Sequence, residues 1–135
     1  MQDLLEAWRN GEQVPPVAKL VGAEFVDYGE GTGRMQLDVD ERHHNAMGTL
    51  HGGMLCDLAD MTMGIALASV LDGDEGFTTL NLNADYLRPV RAGVVTASAE
   101  VVRRGGRTAL LHCRLEHDGA LVAHVASNCL LFGKE

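Results

Sequence analysis

The chain has no surplus of positive charge. Its 11 Lys and Arg stand against 19 Asp and Glu, a formal net charge of −8. A nucleic-acid partner would call for a basic surface, so that class is set aside. A phosphate-bearing small ligand is still compatible, because a local group of arginines can bind one on an acidic protein. Cysteine is scarce: Cys56, Cys113 and Cys129 are odd in number, widely spaced and set in apolar stretches, with no Cys-x-x-Cys pair. That excludes a redox motif or zinc ribbon and leaves free, buried thiols in a reducing compartment. No apolar run reaches the ~20 residues of a membrane span. Met1 to Arg9 carries two acids and no long apolar run, so it does not read as a signal peptide. A cytoplasmic protein with no membrane partner is expected. Neither a Gly-x-Ser-x-Gly elbow nor a His-Glu-x-x-His motif occurs. His43-His44 is the one tempting metal pair, but adjacent residues rarely converge on one ion. The expectation is no metal.

What is present fits one domain over residues 1–135, with 46% hydrophobic residues for a core. Asp3 to Trp8 reads as a short amphipathic helix with Leu4, Leu5 and Trp8 on one side. After Pro15-Pro16, Val17–Tyr28 and Gly33–Val39 read as strands around the turn Gly29 to Gly33. Met35, Leu37 and Val39 alternate with Arg34, Gln36 and Asp38, the period-two pattern of a strand with one wet face. A polar loop, Glu41–Leu50, leads into His51–Val70, whose apolar residues cover nearly every side of a helix. Such a helix must be buried on most sides. Four more strands follow, roughly Phe77–Leu87, Gly93–Arg103, Arg107–His117 and Leu121–Leu131, with hairpin signals at Arg104-Gly-Gly106 and Asp118-Gly119. A curved antiparallel sheet of five to six strands around one long helix, an α+β architecture, is the arrangement that supplies the wrapper.

The chemistry concentrates where loop becomes helix. His51-Gly52-Gly53 sits at the helix start, where free amides and the positive end of the dipole make an anion or oxyanion site. Asp57 and Asp60 interrupt a helix otherwise coated with Met, Leu and Ala. A carboxylate there must be partnered, partly wet or functional. For Asp57 the plainer reading, a solvated groove or an arginine partner, is preferred. Gly53 and Asp60 are separated by ~10 Å along one helix. One reacting carbonyl needs both groups within about 3 Å. If both act on the same carbon they come from two helices, hence two subunits.

The pattern Asn45-x-x-Gly48-x-x-His51-Gly52-Gly53, with Asp60 nine residues after the histidine, closely resembles the PaaI-like branch of hotdog thioesterases, relatives of phenylacetyl-CoA and 4-hydroxybenzoyl-CoA thioesterases. Leu87-Arg-Pro89, Arg104-Gly-Gly-Arg107 and Asp118-Gly-x-Leu-Val122 extend the resemblance over roughly residues 18 to 132. It implies the hotdog fold and an acyl-CoA thioesterase that yields the free acid and CoA. No cofactor is implied beyond the coenzyme A of the substrate. It also implies a homodimer at least, with a homotetramer as dimer of dimers. Asp60 is implied as the catalytic carboxylate, attacking the thioester or activating water. The amide of Gly53, or of Gly52, would polarise the carbonyl from the facing subunit. His51 and Asn45 would shape the site, with Gly48 and Gly52 beside the substrate. Thr79, by its distance from Pro89, matches a Ser/Thr position that holds the attacking water, with Thr78 as its neighbour in register. Arg88, Arg103, Arg104 and Arg107 are the candidates for the CoA phosphates. Two other functions use the same fold: a noncatalytic acyl-CoA-binding or sensing module, and an acyl-thioester dehydratase or hydratase. Asp60 favours an enzyme over the binding module, and the His51-Gly52-Gly53 entry followed by Asp60 nine residues after the histidine resembles a hydrolase more than a dehydratase or hydratase.

Overall fold

A computed structural model describes residues 1–133. Two short helices come first, α1 (Gln2–Arg9) and α2 (Pro16–Val21). Then come β1 (Ala23–Gly29), β2 (Thr32–Val39), a 3-10 turn at Glu41–His43, the long helix α3 (Gly52–Ala68), and β3 (Gly76–Tyr86), β4 (Gly93–Arg104), β5 (Thr108–His117) and β6 (Ala120–Phe132). The six strands form one antiparallel sheet in the order β1-β2-β4-β5-β6-β3. This is the hotdog architecture, with six strands.

One expected strand starts later than read. Val17–Val21 is helical and β1 begins only at Ala23. Pro15-Pro16 breaks the preceding chain but also opens a helix: proline at the first helical position loses no hydrogen bond and has the right φ. Gly22, at φ 82°, ends that helix in the left-handed conformation. At the β5–β6 hairpin, Asp118 and Gly119 both have positive φ, 50° and 77°, as a tight two-residue turn requires.

Alternate residues of the strands form the core: Met35, Leu37 and Val39 of β2, Val95, Ala97 and Ala99 of β4, and Leu111, Cys113 and Leu115 of β5 are all buried. Small residues let α3 lie close. A Cβ on Gly33 of β2 would fall 2.9 Å from both Ile65 Cγ2 and the Thr62 carbonyl oxygen. The sheet-facing side of α3, from Leu55 through Ala68, is buried. The other side, with Gly53, Met54, Asp57, Asp60, Met61 and Gly64, is only partly covered by the described residues. The sheet is unequal at its edges. β1 is covered by α1 through the edge-on contact of Trp8 with Phe25, 5.2 Å between ring centroids. β3 pairs with β6 on one side and, among the described residues, with no strand on the other, and exposes Leu80 and Leu82.

Among the described residues no helix is long and apolar enough to cross a membrane.

Candidate active site

His51 is the N-cap of α3, and its Nδ1 accepts from the Gly53 amide at 2.9 Å. A capping side chain reaches the second or third helical amide, so the first is left over. That first amide belongs to Gly52, and among the described residues nothing accepts from it. Of the two amides that the sequence offered, that of Gly53 is bonded to the His51 ring and that of Gly52 is left open among the described residues. The loop before it is held rigidly. The Asn45 side-chain oxygen accepts from the amides of Met47 (2.9 Å) and Thr49 (3.2 Å), while its amino group donates to Thr49 Oγ1 (2.9 Å). Gly48 turns the loop at φ 79°, and the Leu50 amide donates to the Val90 carbonyl at 2.7 Å. Asn45 thus organises the loop from within, as asparagine does in tight turns.

Asp60 lies two turns along the same helix, half-buried. Its Oδ1 accepts a hydrogen bond from Thr79 Oγ1 at 3.0 Å. Thr78 is exposed and points to the other side of β3, so the choice between the neighbours falls on Thr79. Among the described residues no Arg, Lys or His forms an ion pair with Asp60. Asp57, one turn back, has its carboxyl raised above the usual range by burial and then by the charge of Asp60. The half-buried carboxylate of Asp60 thus has the Thr79 hydroxyl as its partner and, among the described residues, no cation beside it.

A cleft of 470 Å³ opens at the helix start, lined by residues including Asn45, Leu50, Gly52, Tyr86 and Arg88. Tyr86 was not singled out by the sequence. Its hydroxyl donates to the Gly52 carbonyl at 3.0 Å and lies 3.1 Å from Cys56 Sγ. Its ring packs so closely that a Cβ on Gly52 would come within 2.9 Å of Cζ. The thiol bond and burial push the tyrosine up to about 12. The only available signal was its place just before Leu87-Arg-Pro89.

The four candidate arginines do not meet within one chain. Arg88 borders the cleft beside Gly52. Arg103, Arg104 and Arg107 belong to the β4–β5 end of the sheet, beside the C-terminal end of α3, because Arg104 donates to the Val70 carbonyl at 3.0 Å. The two ends of a 17-residue helix are ~25 Å apart. Arg104 is also bonded to the buried Glu75, whereas Arg103 and Arg107 are exposed. His43 and His44 diverge, with Nε2 atoms 2.7 Å from the carbonyls of Val21 and Arg91 respectively. Among the described residues no His, Cys, Asp and Glu side chains cluster as a metal site.

A curved sheet around one long helix is the hotdog arrangement, and here that helix carries an amide donor at its start and a carboxylate in its middle. The sequence pattern of the thioesterase superfamily matches residues 47–123, more than half of the chain. The chain belongs to that superfamily. It is similar to a 1,4-dihydroxy-2-naphthoyl-CoA hydrolase of Listeria monocytogenes, 38% identical over 65% of this chain and 72% of that protein. Among solved structures, a thioesterase of Haemophilus influenzae superposes with a TM-score of 0.84 at 26% identity, covering 89% of this chain and 85% of that one. A mutant of the phenylacetic acid degradation protein PaaI of Thermus thermophilus gives 0.80 at 28%, covering 86% and 98%.

Proposed function

We propose that this enzyme hydrolyses an acyl- or aryl-coenzyme A thioester to the free acid and CoA, at sites shared between two copies of the chain. The observation that carries the reading is the pairing of an amide without an acceptor at Gly52 with a carboxylate without a cation at Asp60. They are eight residues apart on one helix, or ~12 Å. A carbonyl held by the Gly52 amide must therefore meet the Asp60 carboxylate of another copy. The open, apolar edge of β3 suits edge-to-edge pairing with that copy.

In this site the Gly52 amide and the helix dipole stabilise the negative charge that develops on the carbonyl oxygen. Asp60 attacks the carbonyl carbon, giving an acyl anhydride that water hydrolyses after the thiolate has left, or takes a proton from water that Thr79 helps to hold, so that the water oxygen bonds to that carbon. The carbon–sulfur bond then breaks and thiolate, a good leaving group, departs. No resident cofactor is needed. Arg88 meets a phosphate of CoA at the cleft mouth. Arg103 and Arg107 of the facing copy are the next candidates, since antiparallel helices bring the end of one beside the start of the other. The naphthoyl-CoA in the name of the Listeria relative is an aryl-CoA of the proposed class.

The test is subunit complementation, read by free-thiol release. Asp60→Ala lowers kcat by about 10³-fold or more. Gly52→Pro is made together with Tyr86→Ala, because a Cβ on Gly52 would come within 2.9 Å of Tyr86 Cζ; it deletes the amide at the first helical position, after a residue whose ψ of 136° suits proline, and is inactive as well. Unfolding and re-pairing the two inactive proteins together restores about a quarter of wild-type activity, because half the random pairs are mixed and each has one intact site. If mixed dimers form and stay inactive, the shared site is wrong. Acyl-CoA binding without thiol release by the wild type overturns the hydrolase in favour of a binding module.

A further inference from the structure

Beyond Asp60 the structure holds a second cavity of 440 Å³ that the mechanism above does not use. Its walls come from four parts of the chain: Leu4 and Trp8 of α1, Val14 before α2, Met61 and Gly64 of α3, and Phe77 of β3. Gln13 is the one polar side chain among its lining residues. Such a lining offers nothing to a phosphate or a carboxylate, since an ion taken from water needs partners. It suits aliphatic or aromatic carbon, and the thioether of Met61 adapts to either.

The position is as informative as the lining. Gly64 is four residues after Asp60, so the two share a helix face one turn apart. Phe77 is two residues before Thr79, the hydroxyl partner of Asp60, so both side chains stand on one face of β3. The cavity therefore begins one helical turn beyond the carboxylate. Gly64 keeps it open toward β3: a Cβ there would lie 3.4 Å from Phe77 Cζ, and a longer side chain would enter the space. A dry cavity of about 150 Å³ takes up benzene. One nearly three times larger admits an acyl chain on the order of ten carbons with its mouth still open.

We propose that this cavity receives the hydrocarbon part of the acyl group, and that α1, through Leu4 and Trp8, sets how long that part can be. The assignment rests on the Asp60 site proposed above and adds the substrate class: thioesters with a medium-length apolar acyl group. α1 acts as the fixed roof of the pocket. It is anchored by buried Leu5, by Gln2 donating to the Ser69 carbonyl at 3.1 Å, and by Trp8 against Phe25.

Trp8 is the sole tryptophan of the chain, so the pocket carries its own reporter. In the Asp60→Ala protein, which leaves the thioester uncleaved, decanoyl-CoA shifts the tryptophan emission to shorter wavelength and CoA alone does not. In enzymes with Asp60 intact, Gly64→Leu lowers the ratio of kcat/KM for decanoyl-CoA over butyryl-CoA by roughly tenfold. Trp8→Ala moves the preference the other way, raising the ratio for tetradecanoyl-CoA over decanoyl-CoA. Should decanoyl-CoA be hydrolysed while Trp8 emission stays unmoved and both ratios stay unchanged, the acyl group lies elsewhere and only the pocket assignment falls. Failure of the hydrolase reading is a different result: no thiol released by the wild type from decanoyl-CoA, butyryl-CoA or benzoyl-CoA, which overturns the pocket assignment with it, whereas release from benzoyl-CoA alone overturns only the pocket assignment.

Discussion

The two ends of α3 are built to opposite specifications. At the C-terminal end polar groups close on one another. Ser69 Oγ donates to the Ala66 carbonyl at 2.6 Å and accepts from the Gly31 amide at 2.8 Å. Arg104 reaches the Val70 carbonyl and Glu75, and Glu75 in turn accepts from the Asp72 amide at 2.9 Å. At the N-terminal end the Gly52 amide is left without an acceptor, and Arg88 faces a cleft. Satisfied groups hold the fold together, while a donor left open at a helix start is available to a ligand. The same residue type therefore has different work at the two ends, and arginine is the clearest case.

Truncating one arginine at each end tests that contrast directly. Arg104→Ala removes bonds to Glu75 and Val70 and is expected to cost about 1–3 kcal/mol, lowering Tm by about 5 °C or more with KM for acyl-CoA unchanged. Arg88→Ala is expected to leave Tm in place and raise KM about fivefold, the loss of one partly solvated phosphate contact. Thermal melts and thiol-release kinetics on both proteins decide it, and an exchange of the two outcomes would reverse the comparison.

A smaller effect separates holding from binding at the open end. Tyr86→Phe removes the bond to the Gly52 carbonyl while keeping the ring against the glycine. The expected result is a fall in kcat of about three- to tenfold, the worth of one hydrogen bond, with little change in KM. A change confined to KM would mean that the hydroxyl touches substrate instead of positioning the amide.

The smallest effect concerns Asp57. Its carboxyl is raised by burial and by Asp60, so folding favours the protonated form and the ionised form costs stability. That cost is present above the raised value and disappears as pH falls through it. Asp57→Asn should raise Tm by about 1–2 °C at pH 7, and the gap should close on acidification below the usual carboxylate range. A gap that widens in acid has the wrong sign for this account.

Much of this arrangement was legible in the residues. Met35, Leu37 and Val39 announced a strand with one buried face, and that face is buried. The apolar run after His51 announced a helix that a sheet must enclose, and α3 lies within the curve. The family resemblance implied Asp60 and Thr79 as parts of one site, and the two side chains are bonded. Other features were not legible, each for a local reason. Pro15-Pro16 reads equally as an end and as a beginning, and the residues of α2 by themselves suit a strand as well as a helix. Which glycine amide stays open depends on where the His51 ring turns, and a capping ring bonds the second amide of the helix. Tyr86 and Gly52 are 34 residues apart, and no short-range pattern connects them. Arg104 looked like its neighbours Arg103 and Arg107 until the loop after α3 brought Glu75 beside it.

The sequence by itself determined the elements and their order, because strand and helix periodicity and the turn residues act over a few positions. It also determined which functional groups the helix start and its middle would carry. Tertiary structure alone decided which of those groups are free. A hydrogen bond is made or left unmade by side chains that meet only when distant strands and helices pack, and that packing closes one end of α3 and leaves the other open.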